Sequence, residues 1–112
     1  MAALVWVSWM GEYLHNLIEL GLSPLSPENS VMAFVAAGLM IWWWRAPDDG
    51  KRTATASLLG LGLLHLVGGS LSVLPLPLLP FVPAQTAGHY ASHALYAAAQ
   101  VPLVVAMLRA LR

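Results

Sequence analysis

Hydrophobic positions run in four long blocks along this chain of 112 residues, separated by three short polar or proline-bearing stretches. The first block, 2–22 (AALVWVSWMGEYLHNLIELGL), ends at SPLSPENS. There Pro24 and Pro27 stop one helix, and Ser26-Pro27-Glu28 offers N-cap, N1 and N2 residues to the next. A second helix is predicted over 27–45, and RAPDDGKR then reads as a tight polar turn with Pro47 and Gly50 as breakers. The third helix covers 53–74. Prolines at 75, 77, 80 and 83 keep PLPLLPFVP out of any helix and predict an extended run. The fourth helix covers 85–111 and contains Pro102 as a kink. Each segment reaches the roughly 20 residues that cross a ~30 Å hydrocarbon layer.

Two of these blocks carry an ordered polar pattern. Glu12, His15, Asn16 and Glu19 fall at i, i+3, i+4 and i+7, so they share one helical face, which Ser8 and Ser23 extend. In the fourth block His89, His93, Tyr96 and Gln100 follow a 4, 3, 4 spacing and share a face in the same way. The third block has a lone His65.

Composition decides the setting. Hydrophobic residues make up 59% of the chain and charged residues 9%, with a mean hydropathy of +0.72. A soluble domain carries roughly a quarter charged residues. The expectation is therefore an all-α integral membrane protein: a single transmembrane domain, 1–112, built as an up-and-down bundle of four spans. The chain has no cysteine, which excludes disulfides, thiolate metal sites and iron–sulfur clusters. Its net charge is zero and no basic patch lies away from the helix ends, so nucleic acid is not an expected partner. No cationic stretch precedes the first block and no small-residue cleavage pattern follows it, so that block is expected to be retained as a span.

Charge asymmetry orients the bundle. All five basic residues, Arg45, Lys51, Arg52, Arg109 and Arg112, lie in the second connection or near the C-terminus. By the positive-inside rule both are cytoplasmic in a multi-pass protein of the cell (inner) membrane, and the N-terminus joins them. Trp42, Trp43 and Trp44 then form part of an aromatic belt at the inner interface, near the level of Trp6 and Trp9. Counted at 1.5 Å per residue from the outer helix ends, Glu12, His15, His65 and His93 come to one level, roughly 10–15 Å deep. Glu19 and His89 sit near the mouth. A charge at mid-bilayer costs at least ~2.5–3.5 kcal/mol, so the two stripes are expected to face each other inside the bundle, with His65 between them.

The cluster admits several chemistries. As a purely structural network it would set helix register through bonds of ~0.6 kcal/mol each. As a metal site it would draw on Glu12, His15, His65, His89 and His93: Glu12-x-x-His15 is an i, i+3 ligand pair and His89-x-x-x-His93 an i, i+4 pair. Three imidazoles and one carboxylate suit a single zinc, copper or iron ion better than a di-iron centre. His65 and His93, on different helices at one depth, are the candidates for ligating a haem b. Glu and His chains also serve as proton relays, but no full-width path is visible here. No nucleophile–base–orienter set is evident, so no catalytic residue is assigned.

A second face of the last helix is built from small residues. Ala87, Ala91, Ala94 and Ala98 lie opposite the histidines and would let another helix approach closely. The function expected from these features is that of an accessory subunit in a larger membrane complex, redox or transport. The alternatives are a self-contained metal- or haem-binding protein, alone or as a homo-oligomer, and a small transporter or relay component.

Overall fold

In the computed structural model, which describes residues 1–112, the chain is all-α, with four helices and no strand. Helix α1 (Ala2–Leu20) stops at Gly21, whose φ of 65° is left-handed. The Gly21 and Leu22 N–H groups turn back to the carbonyls of Leu17 and Asn16, an ending that a residue without Cβ enters at no steric cost. Ser23 therefore lies beyond the helix, not on its polar face. Helix α2 (Pro27–Arg45) opens with Pro27 in its first turn and Glu28 at the positive end of the helix dipole. Ser26 is the N-cap by backbone position, but its hydroxyl makes no cap bond; the Ser30 hydroxyl donates to the Ser26 carbonyl instead.

Helix α3 (Asp48–Leu63) departs most from expectation. It begins at Asp48, not at 53, so the predicted polar turn shrinks to Ala46 and Pro47. Pro47 holds an extended N-cap conformation, and Asp48 and Asp49 place carboxylates in the first turn, where the exposed N–H groups favour them. Polar residues extend this helix past its hydrophobic block. At the other end α-geometry stops at Leu63, and the run continues as a π-helical turn, Leu64–Gly69, and a 3-10 turn, Ser70–Val73. Gly68 and Gly69 are weak helix formers, and the Ser70 and Ser72 hydroxyls donate to the carbonyls of His65 and Gly69. Pro75 ends the run. Helix α4 (Ala87–Ala110) starts two residues later than predicted, where the Thr86 hydroxyl accepts from the His89 N–H at 3.2 Å, and continues through Pro102.

Sequence neighbours pack on one another, and α4 returns against α1 to make the most extensive helix pair, closing a ring of four. Met1 and Ala2 line an apolar hollow with Met40, Ile41, Trp43 and Trp44, and Arg52 reaches the Leu111 carbonyl. The start of α1, the end of α2, the start of α3 and the end of α4 thus share one end of the bundle, and all five basic residues gather there. Lys51 lies 4.3 Å over the Trp43 ring, whose Nε1–H donates to the Thr55 hydroxyl at 3.0 Å, so α2 and α3 are clasped at this end.

The interior changes character along the bundle. Toward the basic end Val5, Ala36, Leu58, Leu61, Leu103 and Met107 form an apolar cluster. Elsewhere it is largely polar: Ser8, Asn29, His65, Ser70, Ser92, His93 and Gln100, with Thr55 at the basic end, account for eight of the 21 buried residues. Outside, Ile18, Leu20, Phe34, Trp44, Leu64 and Leu78 are all at least 60% exposed. Two helical runs, Asp48–Val73 and Ala87–Ala110, are long and apolar enough to cross a membrane. Helices α1 and α2 have 19 residues each and are diluted by the α1 stripe and by Glu28 and Asn29.

Candidate functional site

The tightest part of the α1–α4 seam is at Gly11. A Cβ there would overlap that of Ala99, so no larger residue fits at this backbone separation. One turn away the Ser8 hydroxyl donates to Gln100 Oε1, while Gln100 Nε2 donates to the Ser8 carbonyl at 2.9 Å. Both residues are buried, and their amide and hydroxyl satisfy each other where water has no access. This bolt aligns the two polar stripes in register.

Above it the stripes meet directly. His15 Nε2 lies 2.9 Å from His93 Nε2. His93 Nδ1–H donates to the Ser70 carbonyl at 2.9 Å. That carbonyl belongs to the first residue of the 3-10 turn that closes the helical run after α3. Nearer the open end, His89 Nδ1 is 2.6 Å from Glu19 Oε2, and the Ser92 hydroxyl donates to Glu19 Oε1 at 2.6 Å. The ring centres of His15 and His93 are 4.3 Å apart, those of His89 and His93 4.6 Å, and those of His15 and His89 6.4 Å.

The five residues expected to supply metal ligands divide into two groups. His15, His89 and His93 stand together beside Glu19. Glu12 and His65 form a separate pair, with His65 Nε2 3.9 Å from Glu12 Oε2. Tyr96 stands between the groups, its ring centre 5.4 Å from that of His15 and 6.0 Å from that of His65. His65 thus sits against both stripes, beside Glu12 of α1 and Tyr96 of α4, while Tyr96 of the α4 stripe separates it from the three other histidines. Both ring nitrogens of His65 and one Glu12 oxygen are buried without hydrogen-bond partners. As the side chains stand, no three His, Asp or Glu residues present a ready-made metal site.

Haem ligation by His65 and His93 would need a slot between them. The two hollows of the structure lie elsewhere, at Met1/Trp44 and within Pro75–Val82, and both nitrogens of His93 already face Ser70 and His15. The alanine face is open: Ala87, Ala91, Ala94 and Ala98 are all exposed, and a Cβ on neighbouring Gly88 would meet nothing within 4 Å.

Three contributors were not singled out from the sequence. Ser92 sits three residues after His89 on the same face, so the i, i+3, i+4 pattern of 89, 92 and 93 was available as a signal. Asn29 looks like part of a helix start, yet it is buried; its Nδ2 donates to the Ser23 carbonyl and its Oδ1 accepts from Asn16 Nδ2, both at 2.8 Å. The Ser70 carbonyl is a main-chain group exposed by an irregular helix end, and no residue pattern announces it. No known protein family, curated protein or solved structure matches this chain.

Proposed function

We propose that this chain is a four-span integral membrane protein with both termini in the cytoplasm, serving as a subunit of a larger membrane assembly. The inside-out distribution supports the membrane setting: Glu12, Glu19 and the four imidazoles turn inward, the exposed carboxylates of Glu28, Asp48 and Asp49 lie at helix starts, and leucines, isoleucines and tryptophans cover the outside. Five basic residues at one end of the bundle, and none at the other, support the orientation.

The observation that carries the subunit reading is the open alanine face of α4. Lipid tails give no hydrophobic drive to helix association, so close backbone approach at small residues is a principal means of assembly. Here such a face runs for three turns and no helix of the chain covers it. Its occupant is another membrane helix, from a different subunit or a second copy. Replacing Ala91 or Ala94 with Leu should dissociate the native assembly while the chain stays inserted. Native mass after mild detergent extraction reads this directly, and an unchanged mass for both variants refutes the proposal.

A further inference from the structure

The hydrogen bonds around His15 and His93 have a forced direction. The Ser23 carbonyl can only accept, so Asn29 turns its Nδ2 to it and its Oδ1 away. Asn29 Oδ1 can only accept, so Asn16 turns Nδ2 toward it, which points Asn16 Oδ1 at His15 Nδ1, 3.2 Å away. His15 therefore carries its hydrogen on Nδ1. From the other side, the Ser70 carbonyl fixes the hydrogen of His93 on Nδ1. Both neutral rings then present Nε2 lone pairs to each other across 2.9 Å. Two bare lone pairs at that distance repel, so the contact calls for a positive charge between them, either a proton shared as N–H···N or a metal ion that draws on both nitrogens.

His89 has the same build. Its Nδ1–H donates to the Glu19 carboxylate, and its Nε2 makes no hydrogen bond with the protein. Three imidazoles thus have Nδ1 tied to an oxygen of the protein and Nε2 left as a donor pair. This is the outer-shell pattern that orients metal-binding histidines, with a carboxylate or a carbonyl behind each ring. Neighbouring carbonyls at the C-terminal end of a helical run add a negative field, as Ser70 does here.

We infer that His15, His89 and His93 are the ligands of one zinc-class divalent metal ion, with Glu19 and the Ser70 carbonyl positioning them. Size supports the inference. With zinc–nitrogen bonds of 2.0–2.1 Å, tetrahedral ligands are about 3.3 Å apart and their ring centres about 5 Å apart. The observed ring-centre distances of 4.3, 4.6 and 6.4 Å bracket that value. The His15–His93 nitrogens need to separate by only ~0.4 Å to admit the ion between them. The half-open edge at His89 and Glu19, whose side chains are 16% and 19% exposed, gives the ion access. Both Glu19 oxygens are already engaged, so the fourth position has no protein donor.

The test uses the full chain in detergent micelles, stripped with chelator and titrated with cobalt(II), then with zinc(II). One cobalt per chain is expected, with the strong visible bands of a four-coordinate ion, displaced by an equivalent of zinc. Glu19→Gln should weaken binding roughly 10–100-fold, as loss of an outer-shell partner does, and His15→Gln and His93→Gln by more than that. His65→Gln should bind as wild type. Absence of stoichiometric binding by the folded wild-type chain overturns the inference, as does equal weakening by His65→Gln. If the buried variants fail to fold, Glu19→Gln and His89→Gln decide, and wild-type affinity in both overturns it.

Discussion

Gly11→Ala puts two opposed effects on one position. In an exposed helix this change stabilises by up to ~1 kcal/mol, because alanine loses less backbone entropy than glycine. At Gly60, where an added Cβ meets nothing within 4 Å, that gain should appear almost whole. At Gly11 the new methyl overlaps Ala99 Cβ and comes within 3.3 Å of Gln100 Nε2 and 3.4 Å of the Tyr96 carbonyl. Helices α1 and α4 must move apart, at a cost of ~1–3 kcal/mol for overpacking. The separation also stretches the two Ser8–Gln100 bonds, worth ~0.6 kcal/mol each in a membrane setting. The steric cost wins, for a net loss of ~1–3 kcal/mol. Ala99→Gly removes the opposing methyl, so the double variant should be more stable than the sum of the singles predicts. A coupling of at least ~1 kcal/mol is expected for residues in such contact. Reversible unfolding in mixed micelles, followed by helical circular dichroism, measures all three. A Gly11→Ala variant as stable as Gly60→Ala, or zero coupling to Ala99, would refute the close approach of α1 to α4.

Two further outcomes follow from the packing and the charge pattern. Gly69→Ala drives a methyl to within 2.6 Å of the Tyr96 ring and should cost ~1–3 kcal/mol in the same assay, whereas Gly68→Ala, which meets only Leu64 at 3.5 Å, should be close to neutral. Reporter fusions at the N-terminus, within 47–50 and at the C-terminus should all read cytoplasmic; an external N-terminus would place α1 flat on the membrane surface, although its polar face carries no Lys or Arg.

The existence and order of the helices could be read from hydropathy and proline placement because those signals are local. Helix α3 shows where locality fails. Its first residues, Asp48 to Arg52, are polar and look like a turn, but acidic residues after Pro47 are good helix starters. Its irregular end around His65 depends on Gly68, Gly69 and serine hydroxyls competing for carbonyls, which hydrophobic periodicity does not register. For the site, the stripes of α1 and α4 could be read because a 3.6-residue period puts them on single faces, and His15 does meet His93. The grouping of the histidines could not. A π-helical turn shifts the phase of every residue near it, which leaves His65 with Glu12 while the Ser70 carbonyl faces His93. Asn29 escaped because its role depends on the path of the connection that precedes it.

The seam between α1 and α4 has a consequence for how the chain is made. Its polar pairs join residues separated by 70 to 92 positions: Glu19 with His89, His15 with His93, Ser8 with Gln100. At about 5–20 residues per second of synthesis, α1 waits roughly 4–18 s before its partners leave the ribosome. Throughout that interval His15 and Glu19 belong to a nascent helix that has no α4 to face, while Asn16 gains an early ally in Asn29 and Glu12 a later one in His65. In the membrane setting proposed above, the first helix must therefore be sheltered by the insertion machinery, or linger at the bilayer surface, until the last one arrives.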